Sequence, residues 1–268
     1  QKAKELGLYV ITCDYLPDNP GHQFSDEYQN ISTVEKEQVL EYARFKQIDG
    51  ILAYASDPSA PAAAYVSEKL ALSGSSYQSV HMLSRKDLFR EFQKKHGFWT
   101  PSFFCIRNVE ELKKLEHKIT YPCMVKPVDS SGSKGVYQAD CCEQLREAYD
   151  RAISFSRCGR IIVEEYIDTP YHQLHGDGVV SDGKLQFIAL GDQRFLHSVP
   201  IGTSLPSEMS GDMRKKVYEE VSRLVLSSGF QCGGINVEVR VTQAGEIYII
   251  EMGPRCGGNY VPQLMEAA

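Results

Sequence analysis

A lysine sits inside an apolar, strand-like run, Tyr121-Pro122-Cys123-Met124-Val125-Lys126-Pro127. A buried ammonium group is costly without a partner, so a lysine in that place calls for an anion. The segment that follows, Asp129-Ser130-Ser131-Gly132-Ser133-Lys134-Gly135-Val136, is made of small residues, hydroxyls and two glycines. Such a loop can close backbone N–H groups on phosphate oxygens, and its hydroxyls and Lys134 add donors. The G-x-x-x-x-G-K-[ST] spacing of a Walker A loop is absent. An ordinary polar hairpin with a snorkelling lysine is the plain alternative.

A second group lies late in the chain. Asn236-Val237-Glu238-Val239-Arg240 and Ile247-Tyr248-Ile249-Ile250-Glu251-Met252 are joined by a turn at Gln243-Ala244-Gly245. Two strands paired through that turn would set Glu238 and Glu251 side by side on one face. Adjacent carboxylates repel unless a cation lies between them, and Mg²⁺ held by carboxylates and substrate phosphates meets the need. Arg255, just beyond, offers a planar fork to a transferring phosphoryl group or an anionic intermediate. Two solvated glutamates on a surface hairpin are the alternative, and the apolar residues around Glu251 weigh against it. A third group, Arg160-Ile161-Ile162-Val163-Glu164-Glu165-Tyr166-Ile167, reads as a hinge whose backbone could meet an adenine edge and whose carboxylate could meet ribose hydroxyls. Glu-Glu-Tyr is, however, common at strand ends.

Elements must carry these groups. Leu8–Cys13 and Gly50–Tyr54 read as strands; a helix capped by Ser32-Thr33 and carrying Val39, Leu40 and Ala43 lies between them. A further helix over Ala62–Leu72 turns Tyr65, Val66 and Leu70 inward. Strand–helix–strand–helix at this spacing predicts a parallel, doubly wound lobe lacking its first strand. No G-x-G-x-x-G follows either strand, so a dinucleotide site is not supported. After a break at Ser73–Ser76, Ser84 and Asp87 suggest a capping box for a helix closed by Gly97. Beyond it the spacing predicts strands over 123–127, 160–166, 178–180, 185–190, 236–242 and 246–252, and helices over 143–154 and 212–227. No repeat or low-complexity tract interrupts them.

With 268 residues, 42% hydrophobic and net charge −6, the chain can bury a proper core. Its acidic balance gives no reason to expect a nucleic-acid partner, and no apolar run approaches the ~20 residues that span a bilayer. The eight cysteines form no C-x-x-C pair and read as reduced, partly buried residues of a reducing compartment. A soluble, cytoplasmic protein is expected. The opening Gln1–Gly7 looks like the end of a helix, and Leu264–Ala268 like the middle of another, so a piece of a longer polypeptide is expected.

Taken in order, these segments resemble the ATP-grasp superfamily, in particular its carbamoyl-phosphate-synthase-like and biotin-carboxylase-like branch, over almost the whole chain. The resemblance implies a mixed α/β and α+β fold. A Rossmann-like pre-ATP-grasp lobe without its first strand would span 1–82. An ATP-grasp domain would span 83–268, with a small lid subdomain at about 109–166. It implies that Lys86 and Lys126 bind ATP phosphates, with Ser131, Gly132, Ser133, Gly135 and Val136 in the lid loop over them. Glu164, Glu165, Tyr166 and Ile167 would form the adenine hinge, and His172 a nucleotide contact. Glu238 and Glu251 would bind Mg²⁺, with Mn²⁺ as a substitute, and Arg255 and Lys126 would be catalytic.

Three positions depart from the family pattern. Gly253 stands where asparagine is common, leaving a metal ligand missing that Asn236 or Asn259 could replace; some amine-ligase branches also carry glycine there. Gln173 replaces an acidic residue, and Arg240 an aliphatic one under the adenine, where it could stack on the base or simply face solvent. The implied activity is Mg-ATP-dependent ligation. A carboxylate or bicarbonate becomes an acyl phosphate, which an amine-type nucleophile attacks with release of ADP. Arg194, His197 and Asn259 are candidates for the substrate side. Expected partners are small carboxylates and amines, with a homodimer as one assembly, and neither nucleic acid nor membrane. A carbamoyl-phosphate-synthase-like enzyme using bicarbonate and ammonia, and a nucleotide-binding module without turnover, are the rival readings.

Overall fold

The computed structural model describes residues 2–196, 199–258 and 262–263. The chain begins with a short helix α1 (Lys2–Glu5), then strand β1 (Ile11–Asp14), a 3₁₀ turn at Pro20–Phe24 and β2 (Glu27–Asn30). Four helices follow: α2 (Lys36–Lys46), α3 (Ala60–Lys69), α4 (Tyr77–Leu83) and α5 (Lys86–Lys95). Strands β1 and β2 pair in parallel as a two-stranded sheet. Val39, Leu40 and Ala43 of α2 are buried with Val66 of α3, as the apolar spacing required.

The sequence reading needs correction at three points here. Ile51–Ala53 is not part of a ladder, and Leu52 is 77% exposed. An apolar run becomes a strand only beside a backbone partner, and among the described residues β1 and β2 have only each other. Glu35, not Ser32 or Thr33, precedes α2; the Thr33 hydroxyl instead accepts a bond from Ser59. Ser84 donates to the Val80 carbonyl at the end of α4, and Asp87 pairs with Arg85 and Arg160, so neither side chain caps α5.

The chain continues with β3 (Phe103–Ile106), α6 (Val109–Leu115), β4 (Cys123–Pro127), β5 (Tyr137–Ala139), α7 (Cys142–Ile153) and β6 (Ile161–Glu165). The four strands form an antiparallel sheet in the order β3-β6-β4-β5. It has its own core, where Leu145, Ala148 and Ala152 of α7 meet Cys123, Val125 and Val163. Then come β7 (Gln173–Ser181), β8 (Lys184–Leu196), β9 (Val199–Ser204), α8 (Gly211–Ser228), β10 (Gly233–Val241) and β11 (Ile247–Gly253). These strands make a five-stranded antiparallel sheet, β11-β10-β7-β8-β9. Val217, Val221, Leu224 and Val225 of α8 pack against Leu174, Ile235, Val237 and Val239 on one face of it. Ala60, Ala64, Val80 and Leu83 of α3 and α4 join that core. The opposite face of β10 and β7 is left for polar residues. All eight cysteines are free thiols, and no helix among the described residues is long and apolar enough to cross a membrane.

Candidate active site

Strand alternation sends Asn236, Glu238 and Arg240 of β10 to the face away from the core. All three line a cavity of about 1100 Å³, as do Gln173 and His175 of the neighbouring β7. Glu251 lies directly opposite Glu238 in the β10–β11 ladder, as the turn spacing predicted. The ladder then passes to Val239 opposite Ile249, leaving Ile250 as the extra residue of a β-bulge. Helix α5 supports that irregularity. Arg90 Nη2 donates to the Ile250 carbonyl at 2.7 Å, and Gln93 Nε2 to the Ile249 carbonyl at 2.8 Å. Both side chains are fully buried. The bulge that aims Glu251 is therefore held from behind by a helix far away in sequence.

Charges converge on this hairpin. Burial, and then the charge of Glu251, push the Glu238 carboxyl up to about 7. Burial acts on Glu251 in the same sense, but Lys86 and Arg255 outweigh it and hold that carboxyl below its ordinary value. Lys86 Nζ lies 3.6 Å from Glu251 and donates to the Ser130 carbonyl at 2.7 Å. Glu238 accepts a bond from Gln173 Nε2 at 3.0 Å. Two opposed carboxylates, one resisting ionisation, suit a divalent cation. Among the described residues no group of three or more His, Cys, Asp or Glu is arranged to hold a metal alone. The pair therefore fits Mg²⁺ that takes its other oxygens from phosphates and water, and not a closed protein cage.

Lys126 enters the cavity from β4, only 8% exposed. Its Nζ donates to Glu164 at 2.6 Å, and Arg90 Nε lies 2.8 Å from the other Glu164 oxygen. Burial lowers the Lys126 pKa, with the Glu164 charge opposing the shift. Burial alone would raise Glu164; Arg90 and Lys126 reverse that and hold it at about 2. Glu164, expected in the adenine hinge, lines the cavity and serves there as an internal counter-ion to Lys126 and Arg90.

The loop after β4 contributes to the wall of the cavity. Gly132, Ser133 and Gly135 take φ of 63°, 58° and 76°, the left-handed region that a tight loop needs and glycine tolerates. Ser131, Gly132, Ser133 and Val136 line the cavity. Gly135 is not among the lining residues; it is packed tightly, since a Cβ there would lie 2.8 Å from Pro127 and 2.9 Å from Phe155. The hinge residues Glu165, Tyr166 and Ile167 also line the cavity, although the Glu165 and Tyr166 amides already donate to Ser102 and Pro122. Arg240 is committed to this corner: its guanidinium lies 4.8 Å from the Tyr166 ring centre and bonds Ile167 O and Gln173.

Other expected residues fall elsewhere. His172 is exposed, is not among the cavity-lining residues, and contacts Arg194. On β8, Gln193 and Phe195 face the cavity, so alternation turns Arg194 away, toward Glu208 at 3.6 Å. The Asn236 amide nitrogen is bonded to Asp177, His175 and Gly176 O, so it is already part of a buried network. Arg255 reaches the cavity, but its fork grips Asp57. His197 and Asn259 lie outside the described residues, as does the helix expected from Leu264. Sequence reasoning missed Asp57, Arg90, His175 and Asp177; the only trace of the last was a carboxylate between two glycines in Gly176-Asp177-Gly178.

Comparison with known proteins places the chain in a family. The ATP-grasp domain family matches residues 119–263. Formate-dependent phosphoribosylglycinamide formyltransferase of Erythrobacter litoralis is 27% identical over 186 residues, 66% of this chain and 47% of that protein. The carbamoyl phosphate synthase large chain of Thermotoga petrophila is 28% identical over 226 residues, 82% of this chain and 20% of that one. The chain thus spans less than half the length of these curated relatives. The crystal structure of L-amino acid ligase from Bacillus licheniformis superposes with a TM-score of 0.80 over 97% of this chain and 64% of that one. At 24% identity, that likeness speaks for the fold.

Proposed function

The chain belongs to the ATP-grasp family, and from that premise we propose that it binds Mg-ATP between its two antiparallel sheets as an ADP-forming ligase. The observation that carries the reading is that Glu238 and its ladder partner Glu251, Lys86 at 3.6 Å from Glu251, and Lys126 all line the 1100 Å³ cavity. Ser130, Ser131, Gly132 and Ser133 of the glycine- and serine-rich loop line it too. Mg²⁺ would be held by Glu238 and Glu251, and when bound it neutralises charge on the phosphates. Lys86 and Lys126 bind phosphate oxygens, and phosphates entering the cavity would compete with Glu164 for Lys126. The loop over 129–136 excludes water that would destroy an activated intermediate. Arg255 meets the transferring group or the anionic substrate.

In the proposed reaction a carboxylate oxygen attacks the γ-phosphorus of ATP, the bond to the β-phosphate oxygen breaks, and ADP leaves. An amine nitrogen then attacks the acyl carbon, phosphate departs with the bonding pair, and the amine gives up a proton. Relatives named for phosphoribosylglycinamide formylation and for carbamoyl phosphate synthesis support carboxylate-plus-amine ligation.

Lys126→Ala is expected to weaken Mg-ATP binding, and Glu251→Gln to abolish phosphoryl transfer more than binding. Both follow from calorimetric binding and from ADP release screened against amino acids, carboxylates, amines and bicarbonate. Parent-like ADP release in both variants would remove the site assignment. Mg-ATP binding by the full-length protein with no substrate-dependent ADP would leave a nucleotide-binding module.

A further inference from the structure

Residue 253 lies two places after Glu251, at the end of β11 and opposite Asn236 in the ladder. It is glycine at an ordinary negative φ, so backbone conformation does not demand it. Space does. A Cβ on residue 253 would lie 3.1 Å from Asp57 Oδ1, 3.3 Å from Arg255 Cζ and 3.4 Å from Arg255 Nε. The slot left by the missing side chain is filled by an ion pair. Arg255 Nε donates to Asp57 Oδ1 at 2.8 Å and Nη2 to Oδ2 at 2.7 Å, a side-on, two-bond grip. The pair is largely shielded, with 10% of the Arg255 side chain and 18% of Asp57 exposed.

Asp57 comes from the first lobe, 198 residues away. It sits in the turn that opens α3, where Ser59 and Ala60 amides bond the Ser56 carbonyl. Beside it the Cys256 amide donates to Tyr54 O at 2.9 Å, so two consecutive residues after the hairpin dock on the segment 54–57. The location is a junction. Asp57 lines both the nucleotide cavity and a second cavity of about 450 Å³, and the two share Lys86, Ser130 and Glu251 as a wall. Beyond Asp57, the carboxylates whose charge acts on Arg255 are those of Glu251 and Asp177. Without Asp57 the guanidinium would be drawn towards them and away from the place where it can meet an anion.

We propose that Asp57 is a positioning residue for Arg255, and that residue 253 is glycine so that the pair can form beside Glu251. Nη1 donates to Cys256 O at 3.0 Å, so among the described residues three of the five guanidinium N–H groups have protein acceptors and two are left for an anion. Asp57 therefore keeps Arg255 off Glu251 and presents those two donors at the junction of the cavities. The proposal rests on reading Arg255 as the group that meets the terminal phosphoryl of ATP.

The test compares affinities for Mg-ATP and Mg-ADP, which differ by that phosphoryl group. Arg255→Ala and Asp57→Asn should each lower the preference for Mg-ATP by about tenfold, with Mg-ADP affinity unchanged. The double variant should be no worse than Arg255→Ala, because the two residues act through one contact. Gly253→Ala, which leaves both charges in place and only fills the slot, should lower the same preference. A parent-like preference in Asp57→Asn, losses that add in the double variant, or loss of Mg-ADP binding along with Mg-ATP each overturn the positioning role. Failure of the parent to bind either nucleotide removes the nucleotide site itself, and the positioning role with it.

Discussion

Arg90 is not among the residues that line the 1100 Å³ cavity, yet it helps to set the charge inside it. Its guanidinium is fully buried and joins Glu164, Gln93 and the Ile250 carbonyl, while Glu164 joins Lys126. Removing one member of a buried ionic group leaves the others desolvated and unpaired. Arg90→Met should therefore cost about 3–5 kcal/mol in urea unfolding. Arg146→Met, which breaks a pair with Glu116 on a side chain 51% exposed, should cost about 1 kcal/mol or less. Glu164 adds a pH signature. Its folded pKa of about 2 lies below its ordinary value of 4.5, so its contribution is present above about pH 4.5 and is lost as pH falls toward 2. The parent should lose stability through that window and Arg90→Met should lose less; equal acid sensitivity would refute the triad's role. Lys126, Glu238 and Glu251 were legible in the sequence because a charge inside an apolar run demands an explanation. Arg90 and Asp57 were not. Their partners lie 160 and 198 residues away, and neither interrupts an apolar pattern.

Elements were legible where local pattern and final environment agree. Strands β4 and β11 are apolar runs with a single charge, β10 alternates apolar and polar residues, and α7 and α8 carry apolar residues at helical spacing, so all five were found close to their true bounds. Strands β2, β3 and β5, of three or four residues, were missed, as was the six-residue β9; all owe their place to neighbouring strands. Gly50–Tyr54 failed in the opposite way, since it is apolar but joins no sheet among the described residues. Strand β7 is the most instructive case. The strand was expected to cover only residues 178–180, whereas it runs from Gln173 to Ser181 and takes in both glycines. Close backbone approach explains them: a Cβ on Gly176 would lie 1.8 Å from the Ala189 carbonyl oxygen, and one on Gly178 would lie 2.7 Å from that of Phe187. Gly176→Ala should then destabilise the protein by about 3–5 kcal/mol, because strand β8 must move. Gly202→Ala in β9, where a Cβ meets nothing within 4 Å, should change stability by no more than about 0.5 kcal/mol. Comparable denaturation midpoints for the two variants would show that β7 and β8 separate more easily than their geometry implies.

At the scale of the whole molecule, the cavity belongs to neither large sheet. Met124, Lys126 and Glu164 approach from the four-stranded sheet, and Gln173, Asn236 and Glu238 from the five-stranded one. Each sheet keeps its own core, one under α7 and one under α8. A ligand that bridges the two walls should therefore stabilise both, and the four-stranded unit most, because its loop and helix line the cavity through Ser131, Gly132, Gln144, Ala148 and Arg151. Ligand at a hundredfold excess over its Kd stabilises the native state by about 2.7 kcal/mol, which is large enough to slow amide exchange wherever opening requires ligand release. Hydrogen exchange with and without Mg-ATP should show slowed exchange in residues 129–136, in α7 and in the β10–β11 hairpin. The β1–β2 sheet contributes nothing to the cavity wall and should be unchanged. Slowing confined to the hairpin would mean that the nucleotide rests on the five-stranded sheet alone. The loop would then be a bystander and not a cover, and the protection of an activated intermediate from water would have to come from the second substrate.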